Sequence, residues 1–281
     1  MDDEWNWVRG WLSDERLAPY LRTAHGDMSA AMDLYQHNSR ISAAIKADLD
    51  HIEVAVRNAY HRAMSAHSPD WMFDGGALFP SIVGGSDRVA REQLEKAIRD
   101  AGGDKAEPGK VVAELSMGFW KRFSDQRRET TLWAAHANMA FVRGTPRRVV
   151  HEHMTALVQL RNRIAHAERI VHLPLNNYRA RIDDLAKRVD PRIAQWIGAH
   201  SAVPGVNESW KRYQQQQVLR AKHVDPVAAE RARQQMVDRR SKRRQEKQKD
   251  HAPKPQPRGI IDRTLDERGP ANPDHDNQRE R

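Results

Sequence analysis

Apolar residues recur at helical spacing along residues 1–217, and no useful stretch alternates with the period of two that a half-buried strand requires. The spacing predicts one long helix from about Asp27 to Met64, with a break near the polar run QHNSR. The apolar face of this helix consists of Ile41, Ile45, Ile52, Val56 and Ala59. The pattern therefore predicts an all-α fold.

Capping and breaking residues place the ends of several further helices. Ser13 and Ser86 are predicted N-caps, and Gly102 marks the end of the helix that follows Ser86. Thr145 followed by Pro146 predicts a helix start, because proline is favoured at the first helical position. The stretches GKVVAELSMGFWKRF, TTLWAAHANMAF, NYRARIDDLAKRV and PRIAQWIGAH also fit helices. The stretch HSPDWMFDGGALFPSIVGGSD is predicted to be a loop.

The character of the chain changes after about Val218. Residues 218–281 lack a continuous apolar stripe and have the composition of a disordered or loosely helical tail. Arg220 to Arg281 contains 17 of the 47 Lys and Arg residues but only 11 of the 38 Asp and Glu residues. We therefore predict a helical domain over 1–217 and a basic tail over 218–281, which would add to the affinity for a polyanion.

Composition excludes several classes of site. The chain contains no cysteine, so disulfides, thiol nucleophiles and zinc sites built on thiolates are excluded. No run of about 18 apolar residues occurs, and the acidic N-terminus lacks the apolar region of a secretory signal. There is no H-E-x-x-H pair and no phosphate-binding glycine loop. We expect a cytoplasmic protein with no membrane span, no metal site and no cofactor.

The run QLRNRIAHAER, residues 159–169, carries polar residues within an amphipathic helix. At about 100° per residue, Arg161 falls in the apolar face, whose other members are Val150, Met154, Leu157 and Ile164. Asn162 and His166 share a different stripe of the helix. A buried arginine must find a carboxylate, a carbonyl or a bound anion. Arg161 is therefore interpreted either as half of an internal ion pair or as part of a polar site.

A second polar stripe lies in the run EVAVRNAYHRA. Glu53, Arg57 and His61 are spaced i, i+4 and i+8, which places them on one side of a helix. The dipeptide Arg57–Asn58 repeats the Arg–Asn pair of the first run. A Glu four residues before an Arg is also the commonest intrahelical ion pair, so a structural interpretation stands beside a functional one.

Five stretches, taken together and in order, resemble the Abi-like (abortive infection) family of the HEPN superfamily of helical bundles. They are ERLAPYL, MDLYQHNSRISAAIKADLDHIEVAVRNAYHRAM, GKVVAELSMGFWKRF, the LW pair at 132–133, and LVQLRNRIAHAERI, within residues 12–172. The resemblance implies an R-x4-6-H motif that here reads Arg161, Asn162 and His166. Family members often carry a second histidine next to the first, where this chain has Ala167.

The resemblance implies a metal-independent endoribonuclease whose site lies at a dimer interface. The RNA 2′-hydroxyl is the nucleophile, His166 the general acid or base, Arg161 the phosphate clamp and Asn162 a positioning group. The expected products are a 2′,3′-cyclic phosphate and a 5′-hydroxyl. The expected partners are RNA, a second copy of the chain and an antitoxin. The alternative is a non-catalytic HEPN scaffold that binds RNA or a protein. Residues interpreted as supporting or substrate-binding are Glu53, Arg57, Asn58 and Arg163.

Overall fold

Helices make up the secondary structure of this protein, and no strand occurs among the residues that the structure describes. The computed structural model describes residues 5–73, 76, 78–83 and 87–223, and beyond them only Gln234, Asp238 and Ser241. The chain divides into two compact units, Met1–Gln216 and Gln217–Arg281. The all-α fold predicted from apolar spacing is confirmed.

The helices follow one another through short connections. In chain order they are α1 (Asn6–Leu12), α2 (Asp14–Thr23), α3 (Met28–Ser65), α4 (Phe79–Val83), α5 (Arg88–Asp100), α6 (Pro108–Glu114), α7 (Met117–Lys121), α8 (Arg147–Ala165), α9 (Leu175–Val189), α10 (Pro191–His200) and α11 (Val203–His223). Short 3₁₀ turns and one π-helical turn, Glu129–Trp133, separate α7 from α8. In the described part of the chain, no helix is long and apolar enough to cross a bilayer.

Helix α3 is the central element of the first unit. It contacts α2, α7, α8 and α9, and its buried stripe includes the predicted Ile41, Ile45, Ile52 and Val56. The break predicted near QHNSR is wrong, because α3 is continuous from Met28 to Ser65. Two of these polar residues, His37 and Asn38, are buried in the continuous helix by contacts with distant parts of the chain.

Several predicted helix ends need correction. Ser13 does cap α2, since its hydroxyl accepts the N–H of Arg16. Helix α5 is capped by Asp87 rather than Ser86, and the Asp87 carboxylate also binds the buried Arg128. Helix α8 begins at Arg147, one residue later than predicted, with Pro146 as its N-cap residue. The predicted Thr145 cap is absent because that hydroxyl donates to the carbonyl of Val142.

Two other stretches are more broken than their apolar spacing predicts. The run GKVVAELSMGFWKRF forms α6 and α7, with extended backbone at Leu115 and Ser116 between them. The run TTLWAAHANMAF lies across the π-helical turn and a 3₁₀ turn, Ala137–Ala140, instead of forming one short helix. The apolar side chains of both stretches are nevertheless largely buried. The apolar spacing therefore predicted burial more reliably than it predicted continuous helices.

Two hydrophobic cores stabilise the first unit. The larger core surrounds α3 and includes the fully buried Trp71 and Trp120. A smaller core joins α1, α2 and the first turns of α3. Its buried members are Val8, Leu12 and Leu17. The smaller core fixes the N-terminal helices beside the C-terminal end of α8, where the residues of the R-x4-6-H motif lie.

Helix α11 extends through residue 218, where the tail was predicted to begin. Within the first unit it packs on α3, because the ring of Trp210 stacks on His37 with centroids 4.3 Å apart. Tyr213 also donates a hydrogen bond to the carboxylate of Asp33. Apart from three single positions, the predicted tail beyond His223 lies outside the described residues.

Candidate active site

Helix α8 carries the motif, and its buried face differs by one position from the predicted face. The buried residues are Val150, Met154, Leu157 and Leu160. Leu160 therefore occupies the place in the stripe that was predicted for Arg161, and Arg161 is half-buried at the edge. Steps of three and four residues both keep a helical stripe on one face. The neighbouring helices, α3, α7 and α9, decide which step is used.

Helix α8 ends directly before His166. The N–H of Ala167 bonds to the carbonyl of Ile164, and the N–H of Glu168 bonds to the carbonyl of Arg163. These two bonds form the Schellman arrangement, which places the residue after the C-cap in the left-handed region. Ala167 has φ 50° and fills a position that usually holds glycine. His166 consequently lies just outside the helix, as its C-cap residue.

Side chains from α2 and α3 hold this helix end in place. Arg16 donates to the carbonyl oxygen of Ala167 over 2.8 Å. The Asn38 side chain accepts the N–H groups of Ile170 and Val171 at 2.7 and 3.2 Å. The Nδ2 of Asn38 also donates to the carbonyl of Glu168 at 3.3 Å. The backbone on the C-terminal side of His166 is thus fixed by hydrogen bonds from two other helices.

The three side chains of the motif are accessible at this helix end. Asn162 and His166 are exposed, and Arg161 is half-buried. None of the three side chains makes a hydrogen bond or an ion pair within the described part of the chain. The internal ion pair proposed for Arg161 is therefore not formed there. Arg161 and His166 are five positions apart, about 140° around an ideal helix, so one copy of the helix presents them in different directions.

A groove of about 580 Å³ lies between α2 and the segment that follows α8. It is lined by Ser13, Glu15, Arg16, Pro19, Tyr20, Arg163, Ala167, Glu168, Arg169 and His172. Arg16 and Arg169 have no carboxylate partner among the described residues, while Arg163 pairs with Glu168 at 3.4 Å. The groove thus places cationic side chains beside Ala167, the residue that follows His166, although it is lined by two carboxylates as well.

Arg169 is the most constrained cation of this groove. Its guanidinium lies over the ring of Tyr20, 5.6 Å from the centroid, and donates to the hydroxyl of Thr23 at 2.9 Å. Its Nε is buried without a hydrogen-bond partner. A positive charge held in this way, with no carboxylate opposite, favours the approach of an anion.

The second polar stripe is not brought to the motif. Glu53 lies about 15 residues beyond Asn38 along α3, roughly 22 Å at the rise of about 1.5 Å per residue. The predicted pair of Glu53 with Arg57 is not formed, because Glu53 accepts the N–H of Met117 at 2.8 Å. Arg57 has a buried Nε without a partner, and Asn58 is exposed. These residues therefore do not complete the motif within one chain.

The two other histidines on α8, His151 and His153, have structural partners. His153 bonds to Asp184 through Nε2 at 2.7 Å and accepts from Arg181 at Nδ1. Burial alone would raise the pKa of Asp184, but hydrogen bonds from Arg188 and His153 hold it below its usual range. Burial lowers the pKa of His151. Among the described residues, no group of three or more His, Asp or Glu side chains is placed to hold a metal ion.

The residues that position the motif were missed by reasoning from the sequence. Asn38 was interpreted only as part of a polar helix break, and Arg16 was given no role. The available signal was a polar residue inside a continuous apolar period, which predicts a buried hydrogen-bonding role. Its partners are more than 100 positions away, so they could not be identified from local pattern.

Comparisons with known proteins add no family assignment: no protein-family model, no curated protein and no solved structure matches the chain significantly.

Proposed function

We propose that this protein is a metal-independent endoribonuclease of the abortive-infection type, with Arg161, Asn162 and His166 as its catalytic residues. The supporting observation is that these three side chains are accessible and have no partner among the described residues. Polar side chains of a helix end held by Asn38 and Arg16 are preorganised for a ligand. Arg16, Arg161 and Arg169 have no carboxylate partner among the described residues, and such arginines favour the binding of a phosphate group.

The proposed reaction needs a proton acceptor, a proton donor and a cation. A base removes the proton of the 2′-hydroxyl, the O2′–P bond forms, the P–O5′ bond breaks, and the leaving 5′-oxygen receives a proton. Imidazole suits both transfers near neutral pH, and a guanidinium stabilises the charge on the phosphorane. Because the RNA supplies the nucleophile, we expect cleavage to survive EDTA.

We further propose that the active site is shared across a two-fold dimer. One copy of α8 presents Arg161 and His166 about 140° apart, so Arg161 of one copy would act with His166 of the other. Mixing Arg161→Ala with His166→Ala would then rebuild one intact site in each mixed dimer. Random exchange should restore about a quarter of wild-type activity. Failure to restore any activity in verified mixed dimers would contradict the shared site.

The nuclease itself is tested with a defined single-stranded RNA and purified protein. We expect His166→Ala to lower the cleavage rate by about 10²- to 10⁴-fold while leaving the thermal midpoint unchanged, because His166 is exposed and outside the helix. The control is His51→Ala, because His51 is also an exposed histidine but lies on α3. Expression of the wild type should arrest growth, and His166→Ala should relieve the arrest. Equal tolerance of both proteins, without cleavage in vitro, would favour the non-catalytic scaffold.

A further inference from the structure

Two tryptophans on α1 form an exposed aromatic surface. Trp7 and Trp11 are 62% and 59% exposed, although the other tryptophans named in the core are buried. Their rings are nearly parallel, with an interplanar angle of 8° and centroids 6.0 Å apart. Exposed tryptophans packed against each other present aromatic surface to solvent, on which another flat group can stack. Inserting a base between the two rings would need a ring separation of about 6.8 Å, twice the base rise. A base therefore stacks on the outside of the pair.

The Trp7–Trp11 pair is connected through ring contacts to the groove lined by Ala167. Trp11 meets the ring of Tyr35 edge-on at 5.8 Å, and Tyr35 meets Tyr20 edge-on at 5.5 Å. Tyr20 lines the groove and lies beneath the guanidinium of Arg169. The aromatic contacts therefore run without interruption from the exposed pair to the cationic groove.

The chain also connects the two surfaces directly. Helix α1 ends at Leu12, and the next residue, Ser13, already lines the groove together with Arg16. Ala167, which also lines the groove, is adjacent to His166. A strand stacked on the tryptophans and continuing along the groove would therefore pass Ala167, the residue next to the proposed catalytic histidine.

We propose that the Trp7–Trp11 pair and this groove form one binding path for single-stranded RNA. A base stacks on the tryptophans, and the phosphates that follow contact Arg16, Arg163 and Arg169. Single-stranded nucleic acid is recognised by this combination of aromatic faces and cations, because every base has a π-face and every linkage a charge. This inference rests on the proposed function for the identity of the ligand, but not on catalysis.

Binding is measured by fluorescence anisotropy of a fluorescein-labelled oligouridylate of about 12 nucleotides, within the usual site size. The protein carries His166→Ala, so that the RNA stays intact. Adding Trp7→Ala and Trp11→Ala together should weaken binding by about tenfold or more. The matched control is Trp196→Ala, which removes a tryptophan that is 49% exposed on α10 and should leave the affinity unchanged.

Two further measurements distinguish the contribution of base stacking to RNA binding from the contribution of the cationic side chains. Arg163→Gln should lower the slope of log affinity against log salt by about 0.7, while the tryptophan variants should leave that slope unchanged. A duplex RNA of the same length should compete at least about tenfold less well, because its bases are already stacked. Equal competition by duplex and single strand would overturn the stacking part of the path.

The alternative occupant, another protein chain, is tested in the same samples by sedimentation. If the double tryptophan variant changes the oligomeric state and leaves RNA affinity unchanged, the pair is a protein interface and the path is wrong. If RNA binds with wild-type affinity to a folded, monodisperse double variant, the path is also wrong. Failure of cleavage by the wild type leaves these binding measurements intact, so the two proposals fail separately.

Discussion

The buried amide of Asn38 offers the sharpest test of how the helix end beside His166 is held. Asn38 is 4% exposed, and all three of its side-chain hydrogen bonds go to the backbone of residues 168–171. We expect Asn38→Ala to destabilise the protein, because it removes these three hydrogen bonds from a buried site. The variant also loosens the segment that fixes the position of His166.

The magnitude follows from the surroundings of each group. The N–H of Ile170 belongs to a fully buried residue, and leaving such a donor unsatisfied costs about 1–3 kcal/mol. The groups of Val171 and Glu168 are closer to solvent, so each lost bond costs about 0.5–1.5 kcal/mol. Alanine regains about 0.5 kcal/mol through its higher helix propensity. The net loss should be about 3 kcal/mol, which lowers the thermal midpoint by about 6–12 °C.

The assay is urea unfolding followed by far-UV circular dichroism, with hydrogen exchange of the Ile170 and Val171 amides as the local readout. The control is Ser39→Ala, which changes an exposed neighbour on α3 and should stay within about 0.5 kcal/mol of the wild type. Exchange at both amides should accelerate in Asn38→Ala. A loss below about 1 kcal/mol with unchanged exchange would refute the reasoning and assign the segment to apolar packing.

Three more substitutions test other features. Ala167→Gly should stabilise the protein by about 1 kcal/mol, seen as a higher thermal midpoint, because glycine adopts positive φ without strain; a lower midpoint contradicts this. Glu53→Ala should cost about 1 kcal/mol in urea unfolding and leave RNA cleavage unchanged, since the carboxylate satisfies the N–H of Met117 at the start of α7. Glu53→Gln should retain most of that stability, and an equal loss would argue against capping. Burial raises the pKa of Asp48 despite hydrogen bonding by Ser201, so the native state binds this proton more tightly than the unfolded state does. The protein therefore loses stability as the pH rises from the ordinary range of an aspartate through that raised pKa. The thermal midpoint of Asp48→Asn should therefore rise relative to that of the wild type as the pH increases above the ordinary range of an aspartate, and parallel curves would contradict the assignment.

Local pattern determined much of the fold. The buried stripe of α3, the cap at Ser13 and the helices α9 and α10 follow from apolar periodicity and capping chemistry, which act within a few residues. These features depend on a helical period that the sequence itself carries.

Tertiary structure decided the surroundings of the motif. Leu160 and Arg161 lie three and four residues after Leu157, so either could continue the apolar stripe of α8. The helices packed on α8 cover Leu160, and Leu160 is therefore the buried one. The polar run around Asn38 stays helical, because residues 132 and 133 positions away satisfy its amide. Glu53 caps another helix instead of pairing with Arg57. In each case the sequence supplies a polar group that needs a partner, and only the packing of distant segments determines which partner comes within hydrogen-bonding distance.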